Sequence, residues 1–126
     1  MTVVTIRLPW PPVVLSPNSR AHWAKVAKVK ANYRADCSTV TRSQLGPGCK
    51  GALPGEGDLD LMIEFIPPQA RKYDRDNLLA RMKAGLDGLC DCLGIDDARF
   101  EPITISMRRK PLRRGFVQVT IQGGSQ

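Results

Sequence analysis

Two clusters of acidic residues stand out by type and spacing. Asp74-Arg75-Asp76-Asn77 falls where a loop meets a predicted helix, and Asp96-Asp97 falls where that helix has just ended. Carboxylates two residues apart converge on one hard cation when the backbone between them is extended, and oxygen ligands with incomplete coordination are what Mg²⁺ takes. Asp and Asn are equally at home as helix N-caps, and an Asp pair after a helix is a common turn, so spacing alone leaves both roles open. On the helix, successive residues turn by about 100°, which sets Asp76, Lys83 and Asp87 in a narrow strip beside the apolar face. Lys83 there either reaches back toward the carboxylate end or pairs with Asp87 as an ordinary i,i+4 lysine.

Other catalytic plans find few residues. Cys37, Cys49, Cys90 and Cys92 lack zinc-finger spacing, and His22 is the only histidine, which leaves reduced, partly buried thiols as the expectation. A ββα-metal nuclease needs a catalytic His with further ligands, and no Asp or Glu is followed at the second position by Lys, the common nuclease spacing. Ser-His-Asp chemistry would have to recruit His22 without a nucleophile elbow, and His22-Trp23 reads as a packing pair at a helix start. Gly46-Pro47-Gly48-Cys49-Lys50 looks superficially like a phosphate loop but lacks the Gly before the Lys and the Ser or Thr after it.

The chain has 126 residues, 42% of them hydrophobic and 25% charged, which fits a single domain over 1–126 with one core. Its net charge is +7, and a polyanion is the natural partner. The charge is segregated. Between Arg20 and Arg42 the only acid is Asp36, and Arg108, Arg109, Lys110, Arg113 and Arg114 form a second basic tract, whereas most of the acids crowd between Asp74 and Glu101. Carboxylates facing phosphate repel it unless a cation intervenes, so a compact acidic cluster in a basic protein argues against a purely passive binder. With no apolar run of membrane-spanning length and no signal-like N-terminus, the expected location is the cytoplasm.

These residues need elements to hold them. Val4, Ile6 and Leu8 alternate in a strand over 2–8 that stops at the prolines. Ser16-Pro17-Asn18-Ser19 offers N-caps for a helix over 20–42 whose apolar stripe is Val26, Val29, Tyr33, Cys37 and Val40, with Lys25 and Lys28 opposite. The Gly/Pro-rich segment 43–57 reads as a mobile surface loop. Leu59, Leu61, Ile63 and Phe65 give a second strand, and Leu78, Leu79, Met82, Leu86, Leu89 and Leu93 a second helix ending at Gly94. Ile103-Ile105-Met107 and Val117-Val119-Ile121 read as a hairpin whose tip is the basic segment 108–115. The order is βαβαββ, an α+β two-layer domain.

Taken together, several of these motifs resemble one known family, the RusA-type Holliday junction resolvases, small endodeoxyribonucleases found largely in phages and prophages. The resemblance spans most of the chain: Leu8-Pro-Trp-Pro-Pro12, Asn18 and His22, Tyr33-Arg34, Asp74-Arg-Asp76-Asn77-Leu78, Lys83-Ala-Gly-Leu-Asp87, and Ile95-Asp-Asp97-Ala-Arg-Phe100. It implies a RusA-like fold and metal-dependent cleavage of branched DNA, resolving four-way junctions by paired nicks as a homodimer, in DNA recombination and repair. Position by position, the essential carboxylates fall on Asp74, Asp76 and Asp97, which would hold Mg²⁺ or Mn²⁺. That ion would lower the pKa of a bound water and neutralise charge on the phosphate. The family's helix lysine sits four residues after the second Asp, where this chain has Ala80; Lys83 lies three residues farther and would steady the attacking water or the phosphate. Arg71, Lys72, Lys25, Lys28 of the first helix and the 108–114 tract would track the DNA backbone. A rival class keeps the same fold as a non-catalytic DNA-binding module, its carboxylates serving as caps and turns.

A helix from Asn77 to Leu93 spans about 25 Å at roughly 1.5 Å per residue, which separates Asp76 from Asp97. Either the helix breaks at Gly85 or Gly88, or it ends early and folds Asp97 back, or Asp97 meets the Asp74/Asp76 pair of another subunit in a two-fold dimer.

Overall fold

The computed structural model describes residues 1–108 and 111–124. Four strands and two long helices follow one another as β1 (Thr2–Pro9), α1 (Trp23–Leu45), β2 (Leu59–Ile66), α2 (Arg75–Leu93), β3 (Phe100–Met107) and β4 (Phe116–Gly123), with short 3-10 turns at Val13–Leu15 and Asp97–Arg99. This is a small mixed α+β domain of one sheet and two helices, with the expected element order. Among the described residues no helix is long and apolar enough to cross a membrane.

The alternating strands bury alternate residues, as a period of two requires. Val4, Ile6 and Leu8 of β1 meet Ile121, Val119 and Val117 of β4, which in turn meet Leu61, Ile63 and Phe65 of β2. These nine side chains are all buried and form the apolar floor on which the helices lie. Gln44 of α1 also covers the outer edge of β1, accepting from Arg7 N at 2.9 Å and donating to Arg7 O at 2.7 Å.

The sheet order is β1-β4-β2-β3, so the expected hairpin is not formed. β3 runs parallel to β2 at the sheet edge, while β4 inserts antiparallel between β1 and β2. Two parallel neighbours joined through α2 form a crossover unit, and the segment after β3 must then pass the end of β2 to reach the free slot. Arg108 N donating to Phe65 O (2.9 Å) and Leu112 N donating to Pro67 O (3.0 Å) mark that passage. Arg108 and residues 111–115 therefore belong to a crossing connection and not to a hairpin tip.

α1 starts three residues later than predicted, because His22 and not the Ser16–Ser19 segment caps it: His22 Nδ1 accepts from Ala24 N at 3.1 Å. His22 and Trp23 do pair, their ring centroids 5.4 Å apart. Of the α1 stripe, Tyr33 and Cys37 are fully buried, and Tyr33 Oη donates to Pro9 O at 2.7 Å. The connection after α1 is not merely a surface loop. Cys49 and Leu53 are buried, and Arg99 pins the chain by donating to Gly57 O and Pro54 O, each at 2.8 Å.

α2 is unbroken from Arg75 to Leu93. Gly85 and Gly88 are places where α1 comes close instead. A Cβ at Gly85 would stand 2.6 Å from Tyr33 Cε2, and one at Gly88 would collide with the carbonyl oxygen of Arg34. The helix ends at Gly94 in the left-handed conformation (φ 70°), the expected stop. All four cysteines are free and buried, and Cys92 Sγ lies 3.3 Å from Cys49 Sγ.

Candidate active site

Asp74 is the N-cap of α2. Its Oδ1 accepts from Asp76 N at 2.9 Å and Asn77 N at 3.3 Å, satisfying two of the helix's free donors. Asp76 follows in the first turn, exposed. Neither carboxylate makes an ion pair among the described residues. Asn77 faces inward and donates from Nδ2 to Ser16 Oγ at 3.0 Å, fixing the start of α2 against the segment before α1.

Asp96 caps the 3-10 turn by accepting from Ala98 N at 2.9 Å, which leaves Asp97 free to face α2. Lys83 Nζ lies 2.8 Å from Asp97 Oδ2 and 3.9 Å from Asp87 Oδ1. The hydrogen bond from Lys83 holds the Asp97 carboxyl below the usual carboxylate range and raises the Lys83 ammonium above its ordinary value. The turn at Gly94 thus folds Asp97 back along α2 as far as Lys83, about 10 Å of helix short of Asp76 at roughly 1.5 Å per residue. Among the described residues no three His, Cys, Asp or Glu side chains stand close enough to hold a metal ion, so one chain does not gather Asp74, Asp76 and Asp97 into a single cluster.

The basic candidates divide. Lys25 and Lys28 are exposed on α1, and Arg113 and Arg114 on the crossing segment. Arg109 and Lys110 lie outside the described residues. Arg71, with its guanidinium 4.9 Å from the Tyr73 ring centroid, shares a cleft of about 300 Å³ with Arg75 and Arg108. Arg71 and Lys72 also line a second cleft of about 210 Å³ that reaches Asp74 and Asn77. Arg34 is engaged elsewhere, bound through Nε and Nη2 to Asp91 at 2.7 and 2.9 Å across the α1/α2 contact.

Two residues at these clefts escaped the sequence reading. Arg75 sits between the two acids of the motif, where the charge pattern draws attention to its neighbours. Arg81 is buried on α2 within the stripe of Leu78, Met82 and Leu86, and a cation inside an apolar stripe was the available signal.

The fold defines a small α+β domain with a paired-carboxylate helix start beside arginine-lined clefts. No protein-family model matches the chain. It is 41% identical over 123 residues to an uncharacterized protein of Xylella fastidiosa (strain Temecula1 / ATCC 700964), an overlap covering 97% of this chain and 78% of that protein. The chain belongs to the same family as that protein.

Proposed function

We propose that the chain is a metal-dependent endodeoxyribonuclease acting on branched DNA, resolving four-way junctions by paired nicks as a homodimer. The observation that carries this reading is a pair of exposed carboxylates, Asp74 and Asp76, left without an ion pair among the described residues although Arg71, Lys72 and Arg75 crowd the same helix start. Acids kept unpaired among arginines repel a DNA backbone unless a cation is bound between them. Mg²⁺ is commonly held by one or two carboxylates, the rest of its shell being water and substrate phosphate, so Asp74 and Asp76 suit Mg²⁺ or Mn²⁺ in donor type, although α2 begins at Arg75 and the extended backbone that would converge the two is present only at Asp74. When bound, the ion supplies a more acidic water and neutralises charge on the phosphate. The motif resemblance to the RusA-type resolvases supports the same assignment.

The chain's own residues would do the rest. Asp74 and Asp76 hold the ion, and Asn77 fixes their helix start through Ser16. Arg71, Arg75 and Arg108 line a channel for the backbone. Lys83 remains an ammonium, the state that can hold a phosphate oxygen, and its place is set by Asp97. A two-fold dimer with antiparallel α2 helices would bring Asp97 of the partner subunit toward Asp74 and Asp76 and create two equivalent sites, matching two nicks in a symmetric junction.

The non-catalytic DNA-binding module is favoured by one observation, that Asp74 and Asp97 each have a structural partner in a single chain. Incubating the protein with matched duplex and four-way-junction DNA, with Mg²⁺, Mn²⁺ or chelator, separates the two. A nuclease cuts the junction only with metal, and Asp76→Asn abolishes cutting while binding stays intact or tightens, since a repulsive charge is gone. Binding without cutting under every condition selects the module, and near wild-type cutting by Asp76→Asn removes Asp76 from the metal site.

A further inference from the structure

Among the described residues Arg81 is a buried cation without a counter-charge. It is 6% exposed, its Nη2 donates to Pro11 O at 2.6 Å, and its Nε is buried with no hydrogen-bond partner. Among the described residues no carboxylate pairs with it. The guanidinium carbon lies 6.0 Å from the Trp10 ring centroid. Burial, with the neighbouring charge of Arg71 adding to it, lowers the pKa of Arg81. A guanidinium nevertheless stays protonated in proteins, so the charge persists. An unpaired buried charge is strongly destabilising compared with a packed apolar side chain, and this one occupies a helix stripe where Leu or Met would pack.

Its position explains what could balance it. Arg81 lines two clefts at once. One, of about 390 Å³, runs between the start of α1 and α2 and carries Lys30 and Lys83. The other, of about 210 Å³, carries Arg71, Lys72 and Asp74. Among the described residues Asp74 is the only acid lining either cleft. Cations converge here from α1, α2 and the segment before α2, Lys83 among them already paired with Asp97, around a side chain with an unused donor.

We propose that Arg81 anchors a phosphate site that takes a backbone phosphate of DNA lying along these clefts, next to the phosphate served by Asp74 and Asp76. This rests on the nuclease reading for the identity of the ligand, whereas the anion site follows from the burial and the missing counter-charge. The planar guanidinium presents five N–H donors in a fixed fork suited to phosphate oxygens, and among the described residues only one of them, on Nη2, has a partner, Pro11 O.

The test uses the whole protein in chelator, so that cleavage plays no part. The Arg81 Nε–Hε resonance, assigned through its side-chain carbons, is followed by NMR during titration with inorganic phosphate and then with a short oligothymidylate. It should shift saturably with both. Arg81→Lys keeps the charge but loses the fork, and should weaken both by about tenfold or more. A resonance unmoved by either ligand overturns the site whatever the variant does. Equal oligonucleotide binding by a folded Arg81→Lys overturns it too. A response to phosphate alone overturns the assignment to DNA. Failure of the nuclease reading looks different: the resonance shifts, yet the wild-type protein never cuts a junction with Mg²⁺ or Mn²⁺.

Discussion

Lys83 Nζ stands 2.8 Å from Asp97 Oδ2, tying the middle of α2 to the segment that follows its end. The pair places the third candidate carboxylate on the same helix strip as Asp76, and it gives Lys83 a fixed orientation despite its exposed position.

The pair has a defined pH window. Asp97 is held below its ordinary pKa, so its contribution to stability is present above the unfolded value and fades as pH falls through the lowered folded value. Lys83 is raised, so its contribution is present below the unfolded lysine value and fades as pH rises through the folded one. An NMR titration of the Asp97 carboxyl should show a low midpoint that rises in Lys83→Met. Because both groups are substantially exposed, the variant should lose only about 0.2–1 kcal/mol in denaturant unfolding. An unchanged Asp97 midpoint would show the pair is not formed in solution.

If the protein acts as the proposed homodimeric nuclease, mixed dimers decide whether its site is shared between subunits. An Asp76→Asn chain paired with an Asp97→Asn chain retains one intact site if Asp97 acts across the dimer, and none if it acts within its own chain. Single-strand nicking of a junction by the heterodimer, with both homodimers inactive, is the expected result. A dead heterodimer that still binds junctions rules sharing out.

The crossing segment between β3 and β4 should contribute to DNA affinity through counterion release. Arg113→Ala combined with Arg114→Asn, the latter chosen because Arg114 has a φ of 74°, should lower the slope of log K against log salt by up to about two units, roughly 0.9 per lost contact. An unchanged slope takes this segment off the DNA surface.

Gly88→Ala tests the α1/α2 approach. The added methyl would collide with Arg34 backbone rather than with a side chain that can swing away. Unfolding in urea should show a loss near the upper end of the usual overpacking range, about 3 kcal/mol. A variant as stable as the parent would mean that the helices sit farther apart.

Much of this architecture was legible because burial imposes a period. The strand faces of Val4, Ile6, Leu8 and of Leu59 to Phe65, and the α2 stripe from Leu78 to Leu93, follow directly from alternation and from the helical repeat. Strand neighbours do not. Val117, Val119 and Ile121 show which face of β4 is buried, and that pattern is identical whether β4 pairs with β3 or slides between β1 and β2. Gly85 and Gly88 were ambiguous for a similar reason, since a missing side chain signals a break or a close approach equally well. The site was half legible. Asp74 and Asp76 were found from their spacing, but the long-range contact of Lys83 with Asp97, and the lack of a partner for Arg81 Nε among the described residues, depend on how the chain folds back.

The central place of β4 bears on how the domain comes into being. Thr2 pairs with Gly123, and β1 touches the remainder of the sheet only through β4. A nascent chain still short of residue 116 has its first strand made and no other strand for it to pair with, so β1 joins the sheet only after β4 has left the ribosome. Pairings of such long sequence separation slow folding. The rate-limiting event in refolding should be the insertion of β4, with α1, α2 and the β2/β3 unit assembled ahead of it.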